Sequence, residues 1–428
     1  MTLPHRVESV IVGAGHAGLT TSWYLRQGDR EHVVLERRPR VSGSWIDRWD
    51  GFRLVSPNWT TSFPGDPYTD GDPDAFMTRD EVAGRVAGYA ERTAAPVHVD
   101  TDVQRISPSG ESLLVETNQG EVQARNVIVA IGSFHTPKIP PIAAELPASV
   151  THLHAHAYRR EVDLPAGAVV VVGSGQTGVQ IAEELHDAGR EVYLSVGSAG
   201  YAPRRYRGSD FFRWLGMVAL HGDTAGFPLP KVAEMTDLRA RLVANPQLSG
   251  HHGGHDVNLR KLAADGITLL GRIERVDGTR LLLRDDLSRK LADADAYFDI
   301  RWKPLFDGII TAAGIDAPPD DRTRYTFEPT ALDELDVAKA GVSTVVWTSG
   351  YGMDFGFIEP PIVDEMGFPR QHRGISDVPG LSFIGLLWQH SQASSTLRGP
   401  SLDGRYLAEQ MGIAVPPIEP PPFLRLQR

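Results

Sequence analysis

Two glycine-rich hexapeptides carry the most specific chemistry in this chain. Gly13-Ala14-Gly15-His16-Ala17-Gly18 follows the apolar run Val10-Ile11-Val12. Gly173-Ser174-Gly175-Gln176-Thr177-Gly178 follows Val169-Val170-Val171-Val172. In such a motif the first glycine permits a tight turn and the second lets backbone approach a pyrophosphate. The third lets helix and strand pack closely, and the helix N-terminus faces the negative charge. One copy is a weak signal. Two copies, each between a strand and a helix, predict a protein that holds two dinucleotides, and such proteins usually pass electrons between them.

The acids and bases near these motifs differ. Glu36 ends the strand Val33-Val34-Leu35, 18 residues beyond Gly18. That is the usual place for a carboxylate that accepts hydrogen bonds from a ribose. The same distance beyond Gly178 reaches Ser195 and Val196, with no acid. Arg204 and Arg205 follow, with Arg207 just beyond. Guanidinium groups pair with phosphate through charge-assisted, often bidentate bonds, so Arg204 and Arg205 are expected to read a 2′-phosphate and favour NADPH over NADH. His251, His252 and His255 have metal-like spacing but lie among glycines with no helix to fix them, so no metal site is expected. The chain has no cysteine, which removes disulfides, thiolate zinc sites, iron–sulfur clusters and any redox-active dithiol. There is no Gly-x-Ser-x-Gly nucleophile elbow.

The elements that must position these residues form two similar series. Residues 7–36 read as strand, helix, strand. Residues 42–80 are rich in Ser, Pro, Asp and Gly and carry Trp45, Trp49 and Trp59; such loops often line ligand sites. A helix over 80–92 and short strands lead to a buried strand, Asn126 to Gly132, and a proline-rich connector. From Val169 a second strand–helix–strand unit runs to Ser195. Residues 200–256 are less regular, a hairpin turn is expected at 276–279 and a helix over 307–314. Val345 to Gly350 is a second strand ending in glycine, and Leu381 to Gly385 a last one. A closing helix over 401–411, with Ser401 as N-cap, precedes a proline-rich tail at 416–422. This order predicts an α/β fold in which one dinucleotide domain is inserted into another. The expected parts are 1–161, 162–343 and 344–428, with the two glycine-ended strands as crossings.

With 428 residues, the chain is long enough for two or three domains. A net charge of −11 argues against nucleic acid and, more weakly, against an anionic membrane. No apolar run reaches the roughly 18 residues of a spanning helix. The first strand begins by Val7, which leaves no room for a secretory signal, so a cytoplasmic location is expected.

Taken in order, GAGHAG at 13–18, Glu36, SGSW at 42–45, IVAIG at 128–132, GSGQTG at 173–178 and TSGY at 348–351 resemble the class B flavin-dependent monooxygenases. That group includes the flavin-containing monooxygenases, the YUCCA-like enzymes and bacterial relatives. The resemblance implies FAD on the first fingerprint and NADPH on the second. It places Ser44 and Trp45 beside the flavin, Gly132 at the outward crossing, Ser349 and Gly350 at the return, and Gly385 with the closing helix against the flavin again. Asn58 resembles the active-site asparagine of the group, whose amide would donate to a flavin peroxide oxygen. His154 and Tyr158 match the second half of the family's Phe-x-Gly-x-x-x-His-x-x-x-Phe/Tyr segment, while Ala148 and Val150 replace its Phe and Gly. His154 is read as orienting the interdomain linker, not as a proton donor. Tyr158 stands where Baeyer–Villiger relatives carry Trp. The implied reaction is reduction of FAD by NADPH, formation of a C4a-hydroperoxyflavin with O₂, and transfer of one oxygen atom to a small organic substrate, at N or S rather than by Baeyer–Villiger insertion. Two alternatives share the same domains: a non-oxygenating NAD(P)H:acceptor reductase, and a flavin- and NADPH-binding regulatory protein. Gln389 and His390, after the last strand, are read as structural.

Overall fold

The computed structural model describes residues 2–416 and 420–425. Residues 417–419 of the proline-rich tail lie outside the described residues. The first sheet is built on Arg6–Val12, which pairs in parallel with His32–Leu35 on one side and Gly120–Val129 on the other. Leu381–Phe383 extends it in parallel beyond Gly120–Val129. Side chains alternate across this sheet. Ile11 and Ile128 enter a core shared with helix α1 (His16–Gln27), while Val10, Val12, Val127 and Val129 meet Leu113, Val115 and Phe383 on the other face. Burial on both faces is why these strands read as continuous apolar runs. Helix α2 (Arg79–Arg92) starts at a capping box, in which Thr78 accepts from the Glu81 backbone and Glu81 accepts from that of Thr78.

The second sheet has five parallel strands, in the order Thr268–Leu270, Val192–Ser195, Ala168–Val172, Val342–Trp347, Thr151–His154. Helix α3 (Gln176–Asp187) follows its central strand. The expected boundaries at 162 and 343 therefore shift: Thr151–His154 and Val342–Trp347 both belong to this second sheet. The sequence THLH hides a strand because its threonine and first histidine face solvent. The two crossings meet each other, since Tyr351–Gly352 pairs antiparallel with Thr136–Pro137.

The stretch read as irregular contains helix α4 (Phe211–Ala225), capped by the Asp210 carboxylate on the Phe212 N–H and stopped by Gly226 at φ +82°. Helices α5 (Leu259–Ala264), α6 (Leu287–Arg301) and α7 (Lys303–Ala312) follow. Phe211, Trp214, Phe298, Trp302 and Phe306 of α4, α6 and the start of α7 make an aromatic core, and Leu424 of the tail is fully buried in it. The last helix, α8 (Gly399–Gln410), starts two residues earlier than expected, with Arg398 rather than Ser401 at its N-cap. Pro400 suits that first turn because its missing N–H would have no partner there. Helix α8 packs on α1, where the Tyr24 hydroxyl donates to the Ser401 carbonyl at 2.7 Å.

Candidate dinucleotide site

The first fingerprint forms one wall of a cavity of about 520 Å³. Its three glycines do different work. Gly13 turns the chain at φ +105°, and a Cβ there would lie 2.8 Å from the Ala130 carbonyl oxygen. A Cβ on Gly18 would run into the Gly13 carbonyl, so helix and strand close only over glycine. Gly15 differs: its Cβ would project into the cavity, with only the Gly43 Cα near, at 3.9 Å. Glu36, Ser44, Trp45, Gly132 and Gly385 line the same space. The buried Glu36 carboxylate accepts from the Ala14 N–H at 2.9 Å and the Arg38 N–H at 3.0 Å.

The second fingerprint repeats this arrangement. A Cβ on Gly173 (φ +112°) would lie 2.7 Å from Thr348 Oγ1, one on Gly178 would hit the Gly173 carbonyl, and one on Gly175 would meet nothing. Thr348 Oγ1 donates to the carbonyls of Val172 and Gly173, both at 2.9 Å, so the TSGY segment underpins this turn. Gln176 donates to the Pro246 carbonyl at 3.0 Å, and Thr177 lines the large cavity below the first fingerprint.

Several expected site residues lie elsewhere. Arg204 is 1 % exposed; its Nε donates to Asp210 at 2.7 Å, its Nη1 donates to the Val55 carbonyl at 2.6 Å, and its guanidinium stacks on Phe76. A guanidinium so engaged is a structural tie, not a reader of phosphate. Arg205 is exposed and makes a long contact with the Gly254 carbonyl at 3.4 Å. Asn58 is 6 % exposed and is not on the cavity wall; its amide donates to the Asp72 carbonyl at 3.0 Å and to Tyr68 at 3.3 Å. Its donors already hold the 58–72 loop, which removes the reason to make it the catalytic donor. Ser349 donates to the Lys138 carbonyl and the Gly350 carbonyl faces His154, so it is the next residue, Tyr351, that lines the cavity. Gln389 and His390 are likewise absent from the wall.

The linker segment closes the two units together. His154 Nδ1 accepts from the His156 N–H, which leaves its Nε2 to donate to the Gly350 carbonyl at 3.0 Å. Burial pushes this imidazole below its usual range. Its two ring nitrogens tie the linker to the return crossing. Tyr158 donates to Glu184 Oε1 at 2.7 Å, and Trp49 Nε1 donates to Oε2 at 2.8 Å. One carboxylate on α3 thus holds both the linker and the loop that forms the cavity wall.

Three residues escaped the sequence reading. Arg48 lines the cavity, its Nε is buried without a partner, and its guanidinium makes no hydrogen bond or ion pair among the described residues. His16 Nε2 is also buried without a partner, and burial holds the imidazole down at about 4. Lys290 Nζ donates to the Val196 carbonyl at 2.5 Å and pairs with Asp286 at 3.2 Å, at the end of the strand where an NAD-binding unit would carry its acid. The signal for Lys290 is a tertiary one, because α6 brings it from far along the chain.

Residues 10–213 match the family model described as pyridine nucleotide-disulphide oxidoreductase. The chain is 28 % identical over 410 residues to an uncharacterized CzcO-like oxidoreductase of Geobacillus kaustophilus, covering 95 % of this chain and 98 % of that one. It is also 28 % identical over 187 residues to a Baeyer–Villiger monooxygenase of Streptomyces coelicolor, covering 42 % of this chain and 36 % of that one. Among solved structures it resembles a flavin-containing monooxygenase from Stenotrophomonas maltophilia, with TM-score 0.64 and 20 % identity over 96 % of this chain and 99 % of the other. Across these comparisons the chain is similar to the class B flavin monooxygenases. It is an oxidoreductase with FAD and NADPH as its cofactors. The cavity of this monooxygenase fits such a group on its own geometry. Gly15 leaves open the volume that a side chain would fill, and Arg48 supplies an unpaired cation there. No helix among the described residues is long and apolar enough to cross a membrane.

Proposed function

We propose that this enzyme uses NADPH and FAD to transfer one oxygen atom of O₂ to a small organic substrate, at nitrogen or sulfur rather than by Baeyer–Villiger insertion. The observation that carries the reading is the paired behaviour of the two fingerprints. In each, the outer glycines are pressed against backbone or Thr348 while the central one faces open space, and Thr177 of the second reaches the cavity of the first. A second pyrophosphate cradle that reaches the cavity of the first through Thr177 suits electron transfer between two dinucleotides. Tyr158, at the position of a Baeyer–Villiger Trp, supports the heteroatom preference.

FAD and NADPH supply hydride transfer and O₂ activation when bound. The protein's part is to bind, orient and exclude water. Gly13, Gly15 and Gly18 with the α1 N-terminus hold the FAD pyrophosphate, and Glu36 accepts from its ribose. Ser44, Trp45, Gly132 and Gly385 border the rest of that molecule, and Arg48 offsets phosphate charge. Gly173, Gly175, Gln176, Thr177 and Gly178 cradle the NADPH pyrophosphate, and Lys290, with Arg205 at the surface, replaces Arg204 as the cation for the 2′-phosphate. His16, neutral at pH 7, packs with Trp45 and Phe63 at ring-centroid distances of 6.2 and 6.3 Å.

The test is a panel of sulfides, amines and ketones with NADPH under isotopically heavy O₂. One heavy oxygen atom in a sulfoxide or N-oxide is the expected result. Label in an ester alone would make it a Baeyer–Villiger enzyme. Full conversion of NADPH to H₂O₂ or to a reduced acceptor, with no label in any product, would make it a reductase.

A further inference from the structure

A second, smaller cavity of about 70 Å³ lies between α4, the start of α8 and the tail. By the space one water needs, it has room for on the order of five waters. Trp59, Phe212, Leu215, Leu220, Leu402 and Leu424 are the large apolar residues of its wall, and Ser56, Thr60, Thr396 and Ser401 add hydroxyl residues. Its one charged lining residue is Arg398. Its guanidinium makes no hydrogen bond and no ion pair among the described residues, and its Nη1 is buried without a partner. Its guanidinium lies 5.8 Å from the centre of the Trp59 ring. Arg48 of the dinucleotide cavity shares this condition, but other deeply placed arginines are served differently: Arg85 by Asp66, Arg204 by Asp210, and Arg322 by Asp299 and Asp320. Burial alone pushes the Arg398 guanidinium below its usual range, with no carboxylate nearby to offset it. The chain has 54 acids to spend on 43 bases, yet none is spent here.

A guanidinium whose buried nitrogen lacks an acceptor is costly, and it is tolerated where a ligand completes it. We propose that this cavity binds a small organic acid whose carboxylate pairs with Arg398 and whose apolar body lies against Trp59 and α4. A free inorganic anion fits less well, because the leucine and aromatic parts of the wall reward an apolar chain or ring that it lacks. The site is separate from the dinucleotide cavity but adjoins it: Thr396 lines the small one and Ser395 the large one. The tail forms part of the wall through Leu424, whose carbonyl accepts from His221 at 2.8 Å.

Isothermal titration of the FAD-loaded protein with hexanoate and with its neutral isostere hexanamide tests this. Hexanoate binds at least roughly tenfold more tightly than hexanamide, R398Q loses roughly 10- to 100-fold in hexanoate affinity, and R398K recovers much of that loss. Equal binding of the two probes, no hexanoate binding, or an R398Q variant that binds hexanoate like the wild type would overturn the proposal. Should R398Q fail to fold, L402E supplies the missing carboxylate at helical i+4 spacing within the same cavity. It is expected to melt higher than the wild type and to lose hexanoate binding, and unchanged affinity would contradict the assignment. Failure of the oxygenase reading is seen separately, because oxygen labelling of neutral substrates does not depend on these titrations.

Discussion

Gly15 and Gly18 are the same residue type under opposite constraints. A Cβ at Gly18 strikes backbone, so Gly18→Ala is expected to give little folded protein. Gly15→Val puts its methyls into open cavity; the protein folds but purifies without FAD. Absorbance of the purified variant and its thermal melt check both halves, and a yellow Gly15→Val protein would remove the first fingerprint from FAD binding. The arginines divide in the same way. Arg204→Ala strips Asp210 of its buried partner and should cost about 3–5 kcal/mol of stability. Lys290→Ala should instead raise the KM for NADPH roughly tenfold or more, the value of one charged hydrogen bond, while leaving NADH use unchanged. Denaturant melts and KM values with both cofactors decide this, and equal losses with both cofactors in Lys290→Ala would take Lys290 out of the 2′-phosphate site. The glycines, Glu36, Ser44 and Trp45 were legible because local backbone geometry dictates their types. Arg204, Asn58 and Lys290 were not, because the partners that fix each side chain come from the fold, for Arg204 and Lys290 from distant segments.

At the scale of elements, α8 carries a buried charge that sets a pH dependence. Asp403 has an unpartnered oxygen, and burial pushes its carboxyl up to about 6. The folded state therefore favours the protonated acid. Its contribution is fully present below the unfolded value near 3.8 and is lost as pH rises through about 6. Asp403→Asn should raise stability by about 3 kcal/mol at about pH 8, and the gain should vanish below about pH 4. Denaturant melts at the two pH values check it; a gain independent of pH would point to packing instead. The first and second strand–helix units were readable from apolar runs and glycine punctuation. Helix α4 was missed because aromatics surround Arg213 and glycines interrupt it, which blurs a 3.6-residue period. Helix α6 buries Leu287, Leu291, Ala294 and Phe298, a helical spacing visible in the sequence but masked by its many charges. The strand Thr151–His154 is too short and too polar to announce itself, which is why the domain boundary fell late.

At the scale of the whole molecule, a mixed sheet with a parallel centre and a five-stranded parallel sheet are joined by a ribbon made of both crossings, and Glu184 bridges the seam through Tyr158 and Trp49. The insertion of one dinucleotide unit in the other was legible from the order of the motifs. The shared cavity was not, since no sequence pattern says that Thr177 and Trp45 face the same space. The central claim is that this shared cavity shelters O₂ chemistry instead of merely passing electrons on. The most direct measurement reduces the FAD-loaded protein with NADPH, mixes it with O₂ in the presence of NADP, and follows flavin absorbance and H₂O₂ together in a stopped-flow instrument. The expected result is a delay before oxidised flavin returns, shortened when NADP is omitted, with H₂O₂ released only at the end of the delay. Immediate, single-phase return of oxidised flavin with H₂O₂ released in step, whether or not NADP is present, would contradict it.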